Sequence, residues 1–269
     1  MARGSGGRRP RIKETGRAPA IGGARLALLL LAAVLLLFYW KNLVGFPGGR
    51  VFFWEDFAEQ NYPYRAFEAV ELRRGSFPFW NPYQFAGMPF AADVQAAAFY
   101  PFNPLLALAA GGGRLSPVWV EGLGVLHALL GGFLLFLLVR YKTSSAYASI
   151  LAGIAWALSG FWVVRMIHLN VLSVVAWTPL LLLLLLVACE RRSLSAAAWG
   201  GIVLGVSLLG GAPQFSLYVL FALGALALYE CVRPREPSAR GAKRLLPFLY
   251  LGVILTIGGG AAAVQLLPT

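Results

Sequence analysis

The sequence predicts an all-α polytopic membrane protein with about seven transmembrane helices and a large first extracytoplasmic loop. Three observations carry this expectation. Hydrophobic residues fill 59% of the 269 positions and charged residues only 13%, where a soluble protein has about 25% charged. Mean hydropathy is +0.70, and apolar runs near the roughly 20 residues that cross a bilayer recur along the chain. The basic residues also divide unevenly between the connections. No soluble domain fits outside the spans.

Residues 1–20 are rich in Gly, Arg and Pro and read as a disordered basic leader. A signal peptide also begins this way, but no small-x-small cleavage site follows the first apolar run. That run, 21–40, ends in Phe38-Tyr39-Trp40-Lys41, an aromatic belt with a snorkelling lysine. An uncleaved signal-anchor is expected. Further spans are expected at 118–139, 146–164, 171–188, 196–209, 215–232 and 245–264. Residues 21–269 then form one transmembrane domain, with 41–117 as its outer loop.

Alternating connections place sixteen of the 23 basic residues on one side, among them Arg8, Arg9, Arg140, Lys142, Arg191, Arg192, Arg233 and Arg244. The other side holds seven, including Arg50, Arg65, Arg114 and Arg165, balanced by seven acids. The positive-inside rule therefore puts the N-terminus in the cytoplasm and the 41–117 loop outside. The +12 charge is a topology signal, with contact to anionic lipid. It is not a nucleic-acid footprint, and no nucleic-acid partner is expected. Cys189 and Cys231 lack CxxC or Cys/His spacing and read as isolated reduced thiols.

Within the loop, 57–74 alternates apolar and charged residues at roughly helical spacing, with Pro63 near the start and Gly75 as a stop. This predicts an amphipathic helix on the outer membrane face. Residues 76–104 carry Pro78, Pro82, Pro89, Pro101 and Pro104, so an ordered irregular segment is expected. A second short interfacial helix is expected at 105–110. Residues 165–170 and 210–214 fall on the same outer side, so three segments of unusual composition share one membrane face. The last span runs directly into 265–269, which reads as the N-terminal part of a longer architecture.

The candidate chemistry sits on that face. Glu55 and Asp56 follow the first span. An acid there suits deprotonation of an acceptor hydroxyl or a divalent cation facing a lipid phosphate. The competing reading is a solvated acid at a helix start. In a helix the two point apart, so at most one is central. Asp93 stands alone in an apolar run and needs a partner, for which Arg50, Arg65 or Arg114 are available. Arg165 and His168 suit a phosphate or pyrophosphate, or else an interface anchor and a loop histidine. Asn170 can orient the same ligand, and Gln214, after Gly210-Gly211-Ala212-Pro213, can contact substrate. His127, within the second span, reads as a satisfied interior histidine. No Walker, Rossmann, zinc-protease or Gly-x-Ser-x-Gly motif is present.

The loop also carries a longer pattern: Asp56, Gln60-Asn61-Tyr62-Pro63, Phe67, and Gly75 through Pro89 with Trp80-Asn81-Pro82-Tyr83 at its centre. Asp93, Gln95 and Phe99-Tyr100-Pro101 follow. Later come His168-Leu169-Asn170, Trp177-Thr178-Pro179-Leu180, Gly211-Ala212-Pro213-Gln214 and Gln265-Leu266-Leu267-Pro268-Thr269. In this order they resemble the YfhO-like bacterial membrane proteins, which are similar to GT-C-type glycosyltransferases. The resemblance implies a multi-pass protein of the bacterial cytoplasmic membrane. It implies transfer of a sugar from a polyprenyl-phosphate donor to an extracytoplasmic cell-envelope glycan or polymer, with inversion. It makes Asp56 the catalytic acid position and Asp93 a second acid. Glu55, Trp80, Asn81, Tyr83, Arg165, His168, Asn170 and Gln214 become substrate contacts. The metal is left undetermined, a divalent cation being one option. Two other functions compete: a flippase or transporter of a lipid-linked precursor, and a non-catalytic envelope scaffold. A transporter places polar groups near the midplane. Here the span centres are apolar and the acids gather in the loop.

Overall fold

A computed structural model describes residues 21–44, 54–233 and 242–269. The expected leader and Arg50 lie outside the described residues. The described chain is helical and has no strand; its one β-bridge joins Asn81 to Met88.

Six helical segments are long and apolar enough to cross a membrane. They are α1 (Ile21–Val44), α4 (Pro117–Thr143), the α5–α6 pair (Ala146–Ala157, Gly160–Val164), the α7–α8 pair (Leu169–Val175, Thr178–Arg191), α10 (Pro213–Val232) and α11 (Leu246–Leu266). The seventh expected span, α9 (Leu194–Leu208), is apolar but has only 15 residues, which is about 22 Å of helix. In the loop lie α2 (Tyr62–Arg73) and α3 (Pro104–Ala109).

Local chemistry sets these boundaries. Ser116 caps α4 by accepting from the Val118 amide, with Pro117 at the first helical position. Arg140 and Lys142 occupy its last turn, where cations favour the helix dipole. Ser145 and Ser193 cap α5 and α9 in the same way. The fourth span breaks at Ala176-Trp177 because Pro179 has no amide to donate back one turn. In the loop, Pro63 does not end the helix. A π-helical turn, Phe57–Asn61, precedes it, and α2 takes Pro63 into its first turn. Gly75, at φ +76°, stops α2 as expected.

Small residues let the helices approach. A Cβ on Gly201 would stand 2.5 Å from Ile257 Cβ, and one on Gly205 2.7 Å from Ala261 Cβ. Helices α9 and α11 therefore pack nearly backbone to backbone, the usual means of association where lipid competes equally for apolar surface. One end of the bundle gathers Tyr141 and Lys142 onto Glu190, at 2.7 and 3.0 Å. At the other end Gln265 Nε2 donates to the Ala91 and Asp93 carbonyls at 3.1 and 3.3 Å, tying α11 to the loop. Gly211, between α9 and α10, meets the loop at Val94 and Ala97. The loop, residues 165–170 and residues 210–214 thus meet at one end of the bundle. Neither Cys189 nor Cys231 is in a disulfide.

Candidate functional site

The site begins with a buried asparagine. Asn61 Nδ2 donates to the Asp56 carbonyl at 3.1 Å and to the Ile167 carbonyl at 3.0 Å. One side chain therefore fixes the π-helical turn against the short turn Arg165–Ile167, which immediately precedes His168. The result is a contact between two sequence-predicted site residues, His168 Nε2 and Asp56 Oδ2, at 3.2 Å. Asp56 stays 52% exposed, while His168 is 20% exposed.

The separation alone suggests an ion pair, but the charge state argues otherwise. Burial lowers the His168 pKa most; Asp56 raises it, Arg165 lowers it again and Glu55 raises it slightly. The balance falls below the ordinary 6.5, so the ring is neutral at pH 7. The contact therefore sets a neutral imidazole nitrogen 3.2 Å from the carboxylate oxygen. His168 Nδ1 is buried and has no hydrogen-bond partner. Glu55, adjacent to Asp56, is exposed and held at φ +39°.

Asp56 opens onto a polar cavity of about 390 Å³ whose other walls are Glu59, Gln60, Tyr64, Gln84, Phe85, Asp93 and Gln95. The two predicted acids therefore share one cavity. Among the described residues Asp93 is in no ion pair with an arginine, Arg50 lying outside them. Its Oδ2 accepts from the Tyr64 hydroxyl at 2.9 Å, and its Oδ1 accepts from the Gln95 amide at 2.9 Å, capping the short turn Val94–Ala96. Arg65 is buried against Glu68, 2.5 Å away, and donates to the Ala96 carbonyl. Burial raises Glu68 to about 7 despite Arg65. Burial, with the Asp93 hydrogen bond, raises Tyr64 to about 12, so it remains a donor. Gln60 Nε2 donates to Gln95 Oε1 at 2.7 Å along the cavity wall.

The other predicted residues fall in different places. Asn170 Nδ2 donates to the Gly211 carbonyl at 3.3 Å, joining two outer turns. Arg165 lies 5.8 Å over the Phe215 ring, and no acid among the described residues pairs with it. Asn81 is buried and structural. It bridges to Met88, donates to Gln84 Oε1 at 3.1 Å and accepts from the Tyr83 amide at 3.0 Å. Asn81 and Tyr83 line a neighbouring groove with Phe67 and Glu71. Trp80 packs over Gly87. Gln214 is not brought to the cavity; it donates to Tyr218 at 2.6 Å on an exposed face. His127 is satisfied inside the bundle by Tyr100, at 2.6 Å, and the Leu123 carbonyl, at 2.7 Å.

Sequence reasoning missed Glu59, Gln60, Tyr64, Gln84, Phe85 and Gln95 as site residues. One signal was available: Gln60, Gln84 and Gln95 are three of the five glutamines in the chain, and all three line this cavity. Among the described residues no three His, Cys, Asp or Glu side chains stand together as a metal-ion ligand set. What the arrangement can do is hold an acid, beside a neutral imidazole, against a polar ligand at one end of an apolar bundle. Comparisons with family models, with curated proteins and with solved structures each found no match.

Proposed function

We propose that this chain is a membrane glycosyltransferase that moves a sugar from a polyprenyl-phosphate donor to an extracytoplasmic cell-envelope acceptor. The observation that carries the reading is Asp56, oriented by His168 at 3.2 Å and facing a polar cavity that also holds Asp93. In this reading the protein belongs with the YfhO-like, GT-C-type enzymes of the bacterial inner membrane. Its N-terminus is cytoplasmic, and α9 completes seven crossings.

The step is a displacement at the anomeric carbon with inversion. An acceptor hydroxyl in the cavity gives its proton to the Asp56 carboxylate as its oxygen attacks. The bond from the anomeric carbon to the lipid phosphate breaks, and the phosphate leaves with the electron pair. Arg165, which has no acid partner among the described residues, stabilises the departing charge. Neutral His168 keeps Asp56 aligned. Asp93 acts through Tyr64 to hold the cavity wall.

The test is sugar transfer in membranes carrying the chain, against Asp56→Asn at equal expression. A general base contributes about 10²–10⁴-fold, so the variant is expected to lose at least a hundredfold in product while polyprenyl-phosphate-sugar accumulates. Equal product from both chains would remove Asp56 from the chemistry and the reading with it.

A further inference from the structure

The cavity has a composition that selects its ligand. Three carboxylates line it (Asp56, Glu59 and Asp93), with three carboxamides (Gln60, Gln84 and Gln95), the Tyr64 hydroxyl and one aromatic ring, Phe85. Among the described residues no lysine or arginine lines it. The nearby cation Arg65 is buried on Glu68. An anionic group entering would meet like charge, with no counter-charge among the described wall residues. A ligand rich in hydroxyls would find carboxylate and amide acceptors and amide donors on several sides.

Phe85 is the unusual wall. It is 83% exposed. Its backbone sits at φ +53°, followed by Ala86 at +58° and Gly87 at +111°. A bulky residue in this region is strained, and such strain concentrates at ligand sites. The surrounding turn enforces it. The Asn81–Met88 bridge closes the base with two 2.9 Å hydrogen bonds, and the Gly87 amide donates to the Gln84 carbonyl at 2.8 Å. Trp80 lies so close over Gly87 that a Cβ there would stand 2.7 Å from the indole. The turn is thus built to hold an aromatic face beside a hydrogen-bonding cavity.

We infer that this cavity binds a pyranose ring, neutral or amine-bearing and not acidic, with the apolar face of the sugar against Phe85. The inference rests on reading the cavity as the acceptor side of the proposed transfer, and it names the class of sugar recognised there. Phe85 is then a specificity-determining residue and not a catalytic one.

Binding is measured by saturation-transfer NMR on the full chain in lipid nanodiscs, with methyl β-glucoside, methyl β-glucosaminide and methyl β-glucuronide as probes. The glucoside and the glucosaminide are expected to bind, and the glucuronide at least tenfold more weakly. Phe85→Gly is the decisive variant, because glycine fits a positive φ better than phenylalanine does. It removes the ring without a folding cost, and is expected to lose at least tenfold in glycoside affinity. Phe85→Trp should retain binding. Equal binding of the glucuronide, no glycoside binding by the parent chain, or an unchanged signal in Phe85→Gly would each overturn the inference. Asp56→Asn separates the two proposals. If glycoside binding persists and transfer proves independent of Asp56, the catalytic reading fails while the cavity assignment stands.

Discussion

Asn61 offers the sharpest test of how the site is positioned. It is buried, and its amide spans the Asp56 and Ile167 carbonyls, 106 residues apart from Asn61 to Ile167. Asn61→Ala removes both hydrogen bonds and leaves a small void. At about 1 kcal/mol net for each bond, the expected cost is ~2 kcal/mol of stability, roughly a 30-fold rise in the unfolded fraction. The catalytic cost should be larger, since the same amide sets the turn that carries His168 against the turn that carries Asp56. Displacement of a catalytic group by about 1 Å can cost on the order of 100-fold. The assay is transfer per folded protein, beside a denaturation curve in mixed micelles and the pH titration of His168 by NMR. Loosening the turn should expose the ring and move its pKa back toward 6.5, because burial is the largest cause of its depression. A variant that loses stability but keeps both its folded-state activity and the His168 titration would refute the positioning argument.

Two further outcomes follow from the same geometry. His168 has a folded-state pKa below its unfolded value, so the unfolded chain binds more protons in that window. The His168 contribution to stability should therefore fall as pH drops through 6.5 toward the depressed value, while Glu68, raised to about 7, contributes the opposite slope in the same window; the difference between the parent chain and His168→Gln in denaturation across pH 4–8 isolates the His168 limb. Gly211→Ala should be severely destabilising. At φ +83° its Cβ would stand 2.5 Å from the Val94 carbonyl oxygen and 3.0 Å from Ala97 Cβ, so the loop must part from the α9–α10 turn; unchanged thermal stability in detergent would contradict this contact.

The loop acids, a helix within 57–74 and the grouping of 165–170 with 210–214 were legible in the sequence. Charge asymmetry and apolar run length act locally and additively, so they survive without coordinates. The helix stop at Gly75 was legible for the same reason, since it acts within a turn of itself. Pairings were not. Asp93 needed a partner, and three arginines were available in sequence; folding gave it Tyr64, because Arg65 turns inward to Glu68. Asn81 and Gln214 read as site residues by type, yet the first is consumed by its own turn and the second faces away beside Tyr218.

The amino-acid sequence by itself determined that this is a multi-pass helical membrane protein whose polar chemistry lies in one loop. That follows because every backbone amide in lipid must be satisfied inside its own segment, which leaves the spans a simple signature. Only the tertiary structure decided that Asp56 meets His168 and shares a cavity with Asp93. Those contacts join residues tens to more than a hundred positions apart, through Asn61 and the approach of α11 to the loop at Gln265. No local pattern encodes such distances; close packing of the whole bundle sets them.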